Sequence, residues 1–175
     1  MQRIVASLIF LLIVLGANTL VSAKGITTRV RITGATLAEP VDLTEPGVLA
    51  SANVWSGPGT FVNDVEATDG FIIDWASGVV TEPPATGQSF DVSFYVTDLN
   101  GAATRQQERL AYVVRFRMAA NGRGYVYLPG PADEFYRLNA ATILRGSEGR
   151  WFHSTHEWDQ AIRKRIQVAS AHAGR

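Results

Sequence analysis

Three groups of side chains in this sequence have the composition of a working site. The first is His153, His156 and Glu157, two imidazoles and a carboxylate within five residues. A zinc hydrolase sets two histidines four apart inside a helix, with glutamate directly after the first, so that both rings leave one face. Here the histidines are three apart and stand before a helix start, where Glu157 is also suited to capping. The pattern predicts a solvated helix start and no metal ligand, and a metal-binding protein is the second alternative.

The second group is the acids Asp69, Asp74, Asp133 and Glu134. Glycoside hydrolysis needs two carboxyl groups held about 5–10 Å apart across a cleft. Chain spacing does not set that separation, and acids between strands more often close turns or pair on the surface. A hydrolase of envelope polymers, with Asp133, Glu134 or Asp74 as acid or base, is therefore the alternative rather than the leading reading. Nucleophilic chemistry has less support. No serine lies in a Gly-x-Ser-x-Gly elbow, and Ser56 before Gly57-Pro58 has turn chemistry. The absence of cysteine removes thiol nucleophiles, iron–sulfur clusters and thiolate zinc sites together.

The third group is aromatic: Trp55, Trp75, Trp151, Trp158, Tyr125, Tyr127 and Tyr136. Such rings offer an apolar face with a polar handle, and can stack on a sugar or a peptide. A small β-rich domain without disulfides needs the same rings for its core, which is the expected place for the tryptophans. Tyr125 and Tyr127 share one face of a strand, with Val126 and Leu128 on the other, so one face is expected to point outward. Beyond them, Arg137 stands beside Tyr136 and four residues after Asp133, where an Asp133–Arg137 pair would lock the turn. The candidate ligand-binding set is thus Tyr125, Tyr127, Tyr136, Arg137 and Asp133. No cofactor is expected, since the chain has neither a phosphate loop nor a dinucleotide fingerprint.

The elements that must position these groups are legible from periodicity. Ile26 to Thr33 alternates cleanly and predicts a half-buried strand, and Pro40 to Thr44 a short second one. Gly47 to Ala52, after Glu45-Pro46, fits one or two helical turns. Phe71 to Trp75 is short and apolar, a predicted strand, and Glu82-Pro83-Pro84 is an extended linker. Phe90, Val92, Phe94 and Val96 alternate with Asp91, Ser93, Tyr95 and Thr97, and beyond a polar loop from Asp98 to about Arg109 Leu110, Tyr112, Val114 and Phe116 alternate with Ala111, Val113, Arg115 and Arg117. Asn121-Gly122 accepts positive φ and predicts a hairpin to a strand from Gly124 to Leu128. Strands joined this closely predict an antiparallel meander.

After Pro129-Gly130-Pro131, Asp133 to Leu138 reads as one helical turn or an ordered loop, and Thr142 to Leu144 as a short strand. Ser154 with Glu157 forms a capping box. Behind it Thr155 to about Val168 is a helix that turns Trp158, Ile162 and Ile166 to the sheet, while Arg163 to Arg165 suit its C-terminal dipole. The expected class is α+β, mainly antiparallel β in a meander or sandwich-like form, with one C-terminal helix packed on the sheet. The expected division is a signal peptide over 1–23, one β-rich domain over 24–168 and a frayed tail over 169–175.

The export expectation rests on Arg3, the apolar run Ile4 to Leu15, and Val21-Ser22-Ala23 before Lys24, the shape a signal peptidase accepts. Without residues 1–23 the chain carries 15 basic and 16 acidic residues, since only Arg3 is lost from a balanced 16 and 16. A phosphate-tracking surface needs clustered positive charge, so nucleic acid is not an expected partner. With no disulfide framework and no Asn-x-Ser/Thr sequon, an extracytoplasmic bacterial location, periplasmic or secreted, fits best.

The segments Gly122–Pro131, Phe135–Asn139, Thr142–Arg145, Gly149–Phe152 and Glu157-Trp158 resemble a set of small exported bacterial proteins of unassigned activity. The resemblance covers mostly residues 109–166, with echoes at Ile32-Thr33-Gly34 and Asp74-Trp75, while Trp55 to Asp69 is longer here. It implies a single export-and-fold unit and transfers no catalytic residue. The leading functional expectation is an exported non-catalytic domain that binds or scaffolds an envelope component, carbohydrate or protein, with no membrane span after signal cleavage.

Overall fold

The computed structural model describes residues 25–34, 37–97 and 107–173. The expected signal peptide and most of the expected polar loop after Thr97 lie outside them. Among the described residues no helix is long and apolar enough to cross a membrane.

The fold is α+β, built on one antiparallel sheet in the order β2-β1-β6-β7-β8-β9-β5. Its strands are β1 (Ile26–Gly34), β2 (Val41–Leu43), β5 (Val79–Val80), β6 (Gln88–Thr97), β7 (Glu108–Met118), β8 (Gly124–Tyr127) and β9 (Trp151–His153). A separate two-stranded hairpin joins β3 (Phe61–Val62) to β4 (Val65–Glu66). Three helices complete the chain: α1 (Pro46–Ser51), α2 (Tyr136–Thr142) and α3 (His156–Ala173). The meander is realised as β6-β7-β8-β9, a single sheet rather than a sandwich.

Alternation decides which face is buried. Val30 and Ile32 of β1, Phe90, Val92, Phe94 and Val96 of β6, Val114 and Phe116 of β7, Val126 of β8 and Phe152 of β9 all lie within the core. The sheet cannot hide this face alone, and two covers do so. Trp158, Ile162 and Ile166 of α3 supply the first, with Trp158 edge-on to Phe116 at a centroid distance of 6.4 Å. The second is the irregular arm between α1 and β5, which inserts Val54, Phe71, Ile72 and Ile73. Phe71 meets Phe94 at 5.0 Å and Tyr112 at 6.0 Å.

This arm departs from the predicted Phe71–Trp75 strand. Ile73 makes a lone bridge to Ser154, flanked by Thr155 N–H to the Ile72 carbonyl (3.0 Å) and Asp74 N–H to the His153 carbonyl (2.9 Å). Phe71 sits at φ 67°, a left-handed conformation that costs an aromatic residue about 1–3 kcal/mol and breaks strand geometry. Asp74 then caps a 3₁₀ turn, Trp75–Ser77, instead of continuing an extended run. Apolarity set the burial correctly, but tertiary contacts chose the backbone.

One further expectation changes near α2, the strand from Thr142 to Leu144. Thr142 closes α2 rather than opening a strand, and Ile143 follows as extended backbone outside the sheet. The reason lies at β7. In the β7–β8 register Arg115 faces Tyr127, so Val113 would face Pro129, which has no N–H to donate. Here β8 leaves, and Asn139 takes its place. Its Oδ1 accepts from Val113 N–H (2.8 Å) and its Nδ2 donates to the Val113 carbonyl (2.7 Å), while Thr142 Oγ1 donates to the Ala111 carbonyl (2.6 Å).

At α3 the cap is Thr155, whose Oγ1 accepts from Trp158 N–H at 3.3 Å. The predicted Ser154–Glu157 box does not form. Ser154 Oγ instead donates to Asp159 Oδ1 (2.5 Å), and Gly124 N–H donates to the other Asp159 oxygen (2.9 Å), tying the helix start to β8. The helix runs on to Ala173, past Val168 and into the segment expected to fray.

Candidate functional site

The five residues read from the sequence as a ligand-binding set are not all at the surface. Tyr125 is 5% exposed, against His153 at 5.1 Å, so its face offers no area for stacking a ligand. Tyr127 is half-buried beside Trp151 at 5.1 Å, and Arg117 lies 4.6 Å above the Trp151 ring. Arg117 also donates to the Pro84 carbonyl (2.6 Å), which straps the Glu82-Pro83-Pro84 linker over this outer face between β5 and β6.

The expected Asp133–Arg137 lock is replaced by another. Asp133 Oδ2 accepts from the Tyr127 hydroxyl (2.8 Å) and from Gly130 N–H (2.7 Å), closing the Pro129–Asp133 turn onto β8. Burial, reinforced by the hydrogen bond to Asp133, raises the Tyr127 pKa and keeps the phenol a donor. Arg137 is exposed and Tyr136 half-buried on α2. Strand register, which sequence spacing alone does not show, brought a tyrosine to Asp133 before an arginine reached it. Asp133→Ala is expected to cost about 1–3 kcal/mol in urea unfolding, because it leaves two donors unpaired, while Arg137→Ala stays within about 0.5 kcal/mol. The reverse order of the two effects would restore the Asp133–Arg137 lock.

The larger concavity lies elsewhere. A groove of 660 Å³ runs between the arm and the start of α3, lined by Thr68, Asp69, Gly70, Ile73, Asp74, Trp75, Ala76, Thr155, His156 and Glu157. A smaller cavity of 280 Å³ adjoins it, sharing Asp74 and His156 and adding Arg123, His153, Ser154 and Asp159. Two of the acids suited by type to hydrolysis, Asp69 and Asp74, thus meet in one groove. The other two, Asp133 and Glu134, line a 70 Å³ recess on the outer face with Asp91 and Arg115.

Each wall of the groove has a local cause. Asp74 accepts from Ser77 Oγ (2.5 Å) and Ser77 N–H (3.2 Å), which winds the 3₁₀ turn and holds the Asp74 carboxyl below its usual range. It is therefore an acceptor at neutral pH and not a proton donor. Trp75 is fixed by Nε1–H to the Gly70 carbonyl (2.8 Å) and by an edge contact with Phe152 at 5.1 Å.

Behind Trp75 stands a residue that no sequence motif marks. Arg145 is 5% exposed and follows the apolar run Ile143-Leu144. Its Nη1 donates to the carbonyls of Ser56 (2.8 Å) and Pro58 (3.1 Å), and its Nη2 to that of Val54 (2.8 Å). The guanidinium lies 4.5 Å from the Phe71 ring centroid, 5.3 Å from that of Tyr112 and 5.7 Å from that of Trp75. Gly57 and Gly59, at φ +84° and +80°, let the arm fold around it, and a Cβ on Gly59 would run into the Leu144 carbonyl. The sequence offers two signals, a charged residue directly after an apolar run and its place at the end of the Thr142–Arg145 segment.

His153 is the other feature of interest. Burial, then the charge of Arg123, lowers its pKa, and its Nδ1 is buried with no hydrogen-bond partner among the described residues. His156 Nε2 lies 2.8 Å from Gln160 Nε2. Among the described residues no three His, Asp or Glu side chains are placed to hold a metal ion.

Comparison of the chain with protein-family models, with curated proteins and with solved structures gives no match.

Proposed function

We propose that this chain is an exported, non-catalytic domain of the bacterial envelope that binds a polyhydroxylated ligand, a saccharide, in the groove beside Trp75. One observation carries the reading: the 660 Å³ groove is lined by Trp75 together with the acids Asp69, Asp74 and Glu157 and the hydroxyl-bearing residues Thr68 and Thr155. Carboxylates accept from sugar hydroxyls, while an aromatic face takes the C–H face of the ring. The signal-like first 23 residues support the location. Hydrolysis by Asp74 has less support, because an acid kept ionised by Ser77 does not protonate a leaving group.

The test is calorimetric titration of the chain with soluble oligosaccharides of N-acetylated amino sugars. Trp75→Ala is expected to weaken binding about tenfold, the loss of roughly 1.4 kcal/mol of stacking. Tyr127→Ala on the outer face is expected to leave it unchanged. Equal affinity in the wild type and in Trp75→Ala would overturn the assignment of the groove, and a loss confined to Tyr127→Ala would move the site to the outer face.

A further inference from the structure

We infer that His153 makes the groove beside Trp75 sensitive to pH, protonation of its imidazole drawing Asp74 away from Ser77 and loosening the turn that holds Trp75. The inference rests on the groove being the binding site and adds its regulation.

The coupling is built from short links. His153 ends β9 and touches the 3₁₀ turn directly, because Asp74 N–H donates to the His153 carbonyl (2.9 Å). Its ring shares the 280 Å³ cavity with Asp74 of the arm, Arg123 of the β7–β8 hairpin, and His156 and Asp159 of α3. Tyr125 of β8 covers one side of the ring. Among the described residues these are the charged and titratable groups around it. Neutral imidazole can leave one nitrogen without a partner, whereas imidazolium has donors on both nitrogens and needs an acceptor for Nδ1. The two carboxylates that line this cavity with His153 differ in what already occupies them. Asp159 holds Ser154 Oγ on one oxygen and Gly124 N–H on the other, and lies 3.9 Å from Arg163. Asp74 is engaged within its own turn, by Ser77 Oγ and Ser77 N–H. An imidazolium beside Asp74 competes with those two donors, and they are what keep Trp75–Ser77 wound. Trp75, anchored at the turn's first residue, then shifts in the groove wall.

Burial and Arg123 hold the imidazole neutral at neutral pH. The folded pKa lies below the unfolded value of about 6.5, so between the two the unfolded chain binds more protons. The contribution of neutral His153 to stability is therefore complete at higher pH and is lost as pH falls through about 6.5 toward the folded pKa.

The test is an NMR titration of the chain from about pH 8 to pH 5, following the His153 imidazole and the Trp75 indole N–H. The expected result is one shared midpoint below about 6.5 for both signals. The Trp75 step should vanish in His153→Gln and in Asp74→Asn, and persist in His156→Gln. A Trp75 signal that stays fixed while His153 titrates overturns the inference, as does a Trp75 step that survives in His153→Gln. Oligosaccharide titration at both ends of the range separates the two readings. Affinity about fivefold or more weaker at the acid end, and pH-independent in His153→Gln, supports both the groove and its switch. A Trp75 step without oligosaccharide binding at either pH keeps the switch and removes the proposed ligand.

Discussion

Arg145→Met is expected to lower the stability of the chain by about 3–5 kcal/mol, read as a fall in the urea midpoint at unchanged slope. Buried charges are often replaceable by apolar residues at little cost, but that holds when both members of an ion pair are removed together. The Arg145 guanidinium instead binds the carbonyls of Val54, which is buried, and of Ser56 and Pro58, which are half-buried, and all three lose their donor in the change. Each stranded acceptor costs about 1–3 kcal/mol, partly offset because the desolvation penalty of the guanidinium disappears. Burial does lower the Arg145 pKa, so that offset is real, yet three carbonyls and three ring faces outweigh it. Arg145→Lys is expected to recover only part of the loss, since an ammonium lacks the planar fork that reaches two sides of the arm. The near-ultraviolet signal of Trp75 should weaken in both variants, because the Phe71–Trp75 wall rests on the guanidinium. Full stability in Arg145→Met would show that the arm closes without it.

The second large effect is expected at Asn139. Asn139→Leu removes both bonds to Val113 and leaves that residue's N–H and carbonyl unpaired at a covered sheet edge, a loss of about 2–4 kcal/mol. Asn139→Asp is informative because it keeps the shape. The carboxylate can still accept from Val113 N–H but turns a second oxygen toward the Val113 carbonyl. It should therefore cost at least as much as Asn139→Leu near neutral pH and less in acid, where the protonated form donates again. Hydrogen exchange at Val113 is the local readout. Its amide should lose protection in either variant before the β6–β7 pairing does, and the freed β7 edge should raise aggregation at high concentration. Unchanged exchange at Val113 would mean that α2 covers the edge by packing alone.

Both effects are invisible to periodicity, for the same reason. Period-two alternation identifies β1, β6, β7 and β8 because an apolar face must be buried whatever covers it. A 3.6-residue stripe identifies Trp158, Ile162 and Ile166 because it has few other uses. Alternation carries no information about what lies beyond a strand's end. Pro129 requires β8 to stop, and only the register places Asn139 against Val113. The short strands β5 and β9 leave no periodic signal, because two or three residues do not establish a period.

The candidate site divides the same way. The acids and rings are legible as chemistry from residue type, and Asp74, Trp75, His156 and Glu157 all stand out in the sequence on that ground. Their grouping is not legible, because the arm reaches β9 and the start of α3 across some eighty residues of chain, as in the Thr155–Ile72 bond. Burial pattern and composition are local properties, and they suffice for an antiparallel, cysteine-free domain with a C-terminal helix. Which acids share a groove, which tyrosine is buried and which arginine holds the arm are matters of folding in three dimensions. Those outcomes depend on contacts between distant segments, where one residue's partner is set by register and packing rather than by its neighbours in the chain.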